Sequence, residues 1–355
     1  MKRFFLLTLA SAALLGASAA PVKTYEVKSP DGRLALVLTA GERLSFTVAR
    51  DGETLVAPSE MALTLSTGEV LGESPRVRSA RRRAVNETID APLYRQSRFD
   101  AAYNELDLRL RGDYGVLARA YDDGVCYRFY TERDGELTIV DETAQLNFEG
   151  DPSAYIPYSK TKIPMRTSFE NTYEYAPLSK FRTQTVAFMP VLVDLGERGY
   201  VLYTESDVEA YPGVYLTYDK EARGFAARFA EYPTETSLTK RFQDVVERSA
   251  DYIARVDGRR SYPWRIVAYA ATVTELPVND MVWQTAEASR VADASWVRDG
   301  KIAWDWWNNW GVYGVDFKSG INTETYKYFI DFAAANGIEY VALDELSLIH
   351  ISEPT

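Results

Sequence analysis

The chain has 355 residues, 46% hydrophobic and 26% charged, with a formal net charge of −11. That balance is ordinary for a globular protein of two domains, and its acidity repels phosphate backbones, which sets nucleic acid aside as a partner. A single cysteine excludes an internal disulfide, and a single histidine, His350, leaves almost nothing for histidine-based proton transfer or a His-ligated zinc, so the working acids must be Asp, Glu and Tyr.

The first residues read as an address label. Lys2 and Arg3 precede an apolar run from Phe4 to about Gly16, and Ala17-Ser18-Ala19 fits an A-x-A cleavage site. The run is short for a bilayer span, and no cysteine follows the cut to carry a lipid anchor. Residues 1–19 are therefore expected to be a signal peptide of an exported, periplasmic or secreted, soluble protein.

From residue 20 to about 275 the pattern is of strands. Asp31-Gly32 and Asp51-Gly52 punctuate alternating runs such as Leu34, Leu36, Leu38 and Leu44, Phe46, Val48. Turn signals recur about every ten residues and helix-period apolar runs are absent, which predicts a large antiparallel β-sandwich. In "DDGVCYRFY" the alternation puts Cys126, Arg128 and Tyr130 on one strand face; a buried, inert thiol is expected there.

Near residue 275 the grammar changes. Residues 276–296 read as a connecting segment, in part helical. "KIAWDWW" then reads as a strand that places Ala303, Asp305 and Trp307 on one face and Ile302, Trp304 and Trp306 on the other. "NTETYKYFIDFAAANG" is an amphipathic helix, capped by Asn322, with Glu324 at its positive end, Gly337 as its stop, and a stripe of Tyr326, Phe329, Ile330 and Ala333. "EYVALDE" follows as a short strand. Strand, helix, strand makes a βαβ unit and a parallel pair, the opening of a (β/α)₈ barrel, which needs about 250 residues in full.

Several of these stretches carry a resemblance. "GKIAWDWWNNWGVYGVDFKSGINTETYKYFIDFAAANGIEYVALDE" closely resembles the start of the catalytic barrel of glycoside hydrolase family 97, bacterial α-glucosidases and α-galactosidases. Upstream, "SPDGRLALVLTAGERLSFTVARDGETLVAPS", "ARAYDDGVCYRFY", "TSFENTYEYAPL", "TESDVEAYPGVYL" and "YPWRIVAYA" resemble that family's N-terminal sandwich, so the likeness spans about residues 24–345. It implies a sandwich over residues 20–275, a connector over 276–296 and a truncated TIM barrel from 297 to 345. Residues 346–355 are read as a tail foreign to the family. It also implies hydrolysis of terminal α-glycosidic bonds by two carboxylic acids with Ca²⁺ in the site. The acids belong to later barrel strands, so no catalytic residue is assigned here and the polypeptide itself is expected to be inactive.

The resemblance assigns Glu170, in "TSFENTY", as a calcium ligand reaching over from the sandwich, with Glu174 as the fallback. A carboxylate suits Ca²⁺, which takes six to eight hard oxygen ligands. Working sites of barrels lie at the carboxyl ends of strands. Trp307 and Asn308 fall there, an indole to stack on a sugar face and an amide for its hydroxyls. Trp304 and Trp306 are read as packing residues, and Trp310 is unassigned. Asp305 binds either sugar hydroxyls or neighbouring backbone. Asp344 and Glu345 end the second strand at the same height, either facing substrate or capping the next helix. Asp207 and Glu209 are read as shaping a turn or a domain contact rather than touching substrate. The expected partner is an oligosaccharide with a terminal α-linked glucose or galactose, bound by a monomer without stable membrane insertion. The competing reading is a non-catalytic carbohydrate-binding sandwich.

Overall fold

A computed structural model describes residues 22–91, 93–159, 165, 169, 171–238 and 244–344. Glu170, Glu345, the leader and the tail lie outside the described residues. The described residues fall into two units, one gathering 22–89, 99–232 and 250–286, the other 90–98, 233–249 and 287–344.

The first unit is antiparallel throughout its described pairings. A meander opens it: Lys23–Lys28, Leu34–Ala40, Leu44–Arg50 and Glu53–Leu65 pair in sequence order. Leu34, Leu36, Leu38, Leu44 and Phe46 are fully buried on its inner face, where the period-2 alternation puts them. Asp51 and Gly52 sit at φ 52 and 90, the left-handed pair that a tight hairpin turn demands.

The centre of the unit is the 24-residue strand Gly124–Asn147. Its first part pairs with Tyr114–Tyr121 and Trp264–Ala270, its middle with Ala254–Ser261, and its end with Glu53–Leu65 and Gly224–Phe229. One strand thus bends between the sheets and shares its residues among both layers, as sandwich corners do. Four buried residues in succession, Gly124–Tyr127, show why alternation fades there: both faces are covered.

Sequence reading gave no hint of the charge inside this core. Arg265, 1% exposed, is held bidentately by Glu142 at 2.8 and 2.7 Å and meets Glu205 at 2.5 Å. Burial opposes its charge, but the two carboxylates more than offset that, so its pKa stands well above the ordinary value. Cys126 is wholly buried, and burial pushes its thiol up to about 12. The expectation of an inert thiol agrees with that.

The connector is built into the same core. After the 3₁₀ turn Val273–Val278, the short helix α1 (Met281–Thr285) inserts Met281, fully buried, among Tyr103, Tyr121, Cys126 and Trp264. Gly124 makes room: a methyl there would collide with the Met281 sulfur. The Thr285 hydroxyl meets that of Ser206 at 2.6 Å.

The second unit contains the exposed hairpin Pro233–Leu238 with Asp244–Ser249 and one parallel pair. Ile302, Ala303 and Trp304 stand opposite Tyr340, Val341 and Ala342. The 13-residue helix α2 (Thr323–Ala335) links the two strands, so the predicted βαβ unit is present. Asn322 caps α2 by accepting from the Thr325 amide at 3.0 Å, Glu324 lies in the first turn, and Gly337 follows at φ 63. Its stripe is narrower than predicted. Tyr326 and Ala333 are buried and Phe329 half-buried, whereas Ile330 is exposed and Thr325 is buried instead. Thr325 turns inward because its hydroxyl joins the cap, giving to Asn322 and taking from the Gly320 amide, both at 3.0 Å.

Candidate functional site

The strand ends at Trp304. Asp305–Asn308 coils into a 3₁₀ turn, so the strand alternation predicted through Trp307 stops three residues early. Ala303 and Asp305 do share the buried side, but Trp307 leaves their face and is 83% exposed. The physical reason lies in the backbone bonds: the Trp310 amide returns to the Asp305 carbonyl and the Asn309 amide to that of Trp306, both at 2.9 Å. Asn309 and Trp310 close the turn at φ 54 and 52. Asn tolerates that left-handed region, whereas for a bulky residue it costs roughly 1–2 kcal/mol.

The turn makes a shelf at the carboxyl ends of the two parallel strands. The rings of Trp304 and Trp307 stack at 5.8 Å and 18°. Trp306 meets Trp310 edge to face at 4.8 Å. Trp304 and Trp306, expected to be packing residues, are 40% and 46% exposed, Trp304 at the last position of the strand and Trp306 within the turn. The Trp304 indole N–H donates to the Asp344 carboxylate at 3.1 Å, which sets Asp344 at the shelf's edge. Asn308 is exposed at the rim, its amide donating to the Gly311 carbonyl at 2.6 Å.

Asp305 resolves in favour of the backbone. It is fully buried, and its carboxylate accepts the Asp344 amide at 3.2 Å, tying the end of one strand to the end of the next. The residue sequence reading missed is Tyr326. Its hydroxyl lies by Asp305 and Trp310, and burial first, then the Asp305 carboxylate, raise its pKa. Its only signal was membership of the apolar stripe, which marks the ring and says nothing of the hydroxyl.

In the sandwich, Glu174 is paired with Arg182 at 2.6 Å. Asp207 sits at φ 55, accepts from Arg128 at 3.2 Å, and its carbonyl receives the Glu209 amide, which fits a turn-shaping role. Among the described residues no three His, Cys, Asp or Glu side chains converge as a metal site.

A sandwich continued by a βαβ unit, with an aromatic shelf and a carboxylate at its strand ends, makes this a two-part β and α/β protein. Two family profiles match: Glycosyl-hydrolase 97 N-terminal over residues 27–287 and Glycoside hydrolase 97 over 306–348. The chain is 40% identical over 331 residues to a retaining alpha-galactosidase of Bacteroides thetaiotaomicron, covering 91% of this chain and 50% of that protein. It is 30% identical to a probable retaining alpha-galactosidase of Streptomyces bingchenggensis, covering 89% and 44%. Among solved structures it is similar to a Glycoside Hydrolase Family 97 enzyme from Pseudoalteromonas sp. strain K8 in complex with acarbose, with a TM-score of 0.73 at 19% identity over 89% of this chain and 46% of that one. A beta-arabinopyranosidase gives a TM-score of 0.72 at 21% identity, covering 89% and 50%. The chain belongs to glycoside hydrolase family 97. It spans about half the length of the curated relatives it matches.

Proposed function

We propose that this chain is the sandwich and leading barrel portion of an exported, calcium-assisted retaining α-galactosidase, in which Trp307 and Asn308 face the terminal sugar. The observation that carries the reading is the 40% identity to a retaining alpha-galactosidase over 91% of the chain. α-Galactosides are preferred over α-glucosides because both curated relatives are named for that activity.

The chain's own residues bind and orient. The exposed Trp307 ring, backed by Trp304, offers a flat apolar platform. Covering ~50 Å² of it with the apolar face of a pyranose contributes about 1 kcal/mol at ~25 cal/mol per Å². Asn308 and the Asp344 carboxylate stand at its edge for hydroxyl groups. Calcium, with Glu170 among its ligands, belongs to the reading through the family resemblance, and when bound it would polarise and orient the substrate.

Retaining hydrolysis needs two carboxyl groups about 5–5.5 Å apart, one free to attack. The family resemblance places both of those acids on later barrel strands. The polypeptide as it stands is therefore proposed to bind without turnover. Residues 1–19 are proposed to direct export.

The test is calorimetric titration of the chain with methyl α-galactopyranoside and methyl α-glucopyranoside, alongside hydrolysis of nitrophenyl α-galactoside. Galactoside binding that disappears in Trp307→Ala, with no hydrolysis, is the expected result. Equal heats for parent and Trp307→Ala would remove the shelf from the reading. Turnover by this chain would overturn the proposed inactivity.

A further inference from the structure

We infer that Asp305 is the positioning residue of the tryptophan shelf, gathering the Asp344 amide, the Tyr326 hydroxyl and the Trp310 indole N–H on one buried carboxylate and thereby fixing the pose of Trp307 and Asn308. The inference rests on the reading that Trp307 and Asn308 face the sugar.

Three polar atoms of the shelf are buried without a hydrogen-bond partner: Asp305 Oδ2, Tyr326 Oη and Trp310 Nε1. Their chemistry is complementary. An ionised carboxylate only accepts, an indole only donates, and a phenol donates to a carboxylate. One acceptor oxygen and two donors are thus open on residues of the same turn and helix, and Trp310 is already tied to Asp305 through its backbone amide at 2.9 Å. Buried polar groups left unsatisfied are costly, a charge most of all, so mutual closure is the favoured arrangement. The Tyr326 side chain lies within reach of both Asp305 and Trp310.

The consequence reaches the surface through short links. Trp310 is held left-handed at φ 52, beside Asn309 at φ 54. Such strain persists only where the surroundings over-determine it. The restraints are the Trp310 amide on the Asp305 carbonyl and, by this inference, the Trp310 indole on the Asp305 carboxylate. Trp310 braces Trp306 edge to face, and Trp306 adjoins Trp307. The other oxygen of Asp305 holds the Asp344 amide, so the same side chain also sets the carboxylate that takes the Trp304 indole. Both edges of the shelf thus hang from one buried residue.

The experiment uses the full chain labelled with fluorotryptophan, its seven indole signals assigned by single Trp→Phe changes and followed by fluorine NMR. Tyr326→Phe removes one donor and keeps the ring; Asp305→Asn keeps an acceptor for the Asp344 amide and removes the charge. In both, the Trp306, Trp307 and Trp310 signals are expected to shift or split while Trp264 stays put. Affinity for methyl α-galactopyranoside should fall about tenfold, the equivalent of ~1.4 kcal/mol, with the unfolding midpoint of α2 little changed in Tyr326→Phe. A merely structural role would move that midpoint and leave the affinity. Shelf signals in Tyr326→Phe that superimpose on the parent's overturn the inference, even if Asp305→Asn fails to fold. Shelf signals that move in the variants while the parent Trp307 ignores sugar sink the functional reading instead and leave the positioning role standing.

Discussion

Two tryptophans show how differently the two units use the same side chain. Trp264, in the sandwich, is fully buried between two guanidinium groups, with Arg119 at 4.6 Å and Arg128 at 4.4 Å from its ring. Those cations are themselves held, Arg119 by Glu105 at 2.9 Å and Arg128 by Asp207 at 3.2 Å. Trp307 in the second unit is 83% exposed and stacks only on another indole. In the sandwich, neighbouring antiparallel strands bring a charged clamp to both faces of the ring. At the ends of two short parallel strands a 3₁₀ turn presents the ring outward. The lesson is that an indole's role is set by what the register places on each of its faces. Substitutions that test the contrast should cost most in the first unit and least at the shelf.

The largest loss is expected at Glu142. Glu142→Gln removes the bidentate partner of a guanidinium that is 1% exposed and leaves only Glu205 beside it. Breaking a buried pair by removing one member costs about 3–5 kcal/mol; the remaining carboxylate puts this case near 3. A denaturant midpoint of the sandwich transition that does not move would show the cluster to be dispensable.

Next comes the anchoring of α1. Met281→Ala empties a fully buried site, a change worth roughly 2–5 kcal/mol in other cores. Gly124→Ala, at φ 159, puts a methyl against the same sulfur and the Ala268 backbone and should act alike. Limited proteolysis around residues 279–286 should accelerate in both, and equal cleavage rates in parent and variants would show that the helix is not locked.

A pH effect of smaller size resides nearby. Burial, reinforced by Asp280 and Asp122, raises the Asp123 carboxyl to about 6 from its ordinary 3.8. Asn279 faces it, its amide donating to Asp123 Oδ2 at 2.9 Å. A carboxyl with a raised folded-state pKa holds its proton more tightly in the folded chain. Its contribution to stability is full below about pH 4 and is lost as the pH rises through 6. The difference is about 1–2 kcal/mol, at 1.36 kcal/mol per unit with allowance for partial solvation. Asp123→Asn should flatten this part of the stability profile, and an unchanged slope between pH 4 and 6 would discount Asp123.

Much of the fold was legible because its signals are periodic and local. Leu34, Leu36 and Leu38 alternate, Asp51-Gly52 turns, and Asn322 caps, each decided by a few neighbouring residues. The shelf was legible in composition but not in shape. "WDWW" reads as a strand, and the backbone bonds from Trp310 to Asp305 and from Asn309 to Trp306, contacts the alternation rule does not contain, curl it into a turn. The Arg265 cluster was invisible for a different reason: Glu142, Glu205 and Arg265 stand on three strands more than 60 positions apart at the extremes, and a charged residue in a strand reads as solvent-facing until its partners are placed. Tyr326 was hidden by its own ring, which satisfies the apolar stripe and so masks its buried hydroxyl.

The smallest effect on stability, and the one that most sharpens the contrast, belongs to Trp307. Trp264→Ala would remove a fully buried ring and should cost about 3–5 kcal/mol, whereas Trp307→Ala removes one that is 83% exposed and should change stability by no more than about 0.5 kcal/mol. The loss of its stack on Trp304 sets the upper end of that range, since aromatic pairs contribute about 0.5–1.5 kcal/mol and exposed ones less. If thermal unfolding of Trp307→Ala matches the parent while the galactoside response vanishes, the ring is there for a ligand. If Trp307→Ala instead unfolds well below the parent, the shelf is holding the second unit together, and a sugar must be sought against Asn308 and Asp344 without it.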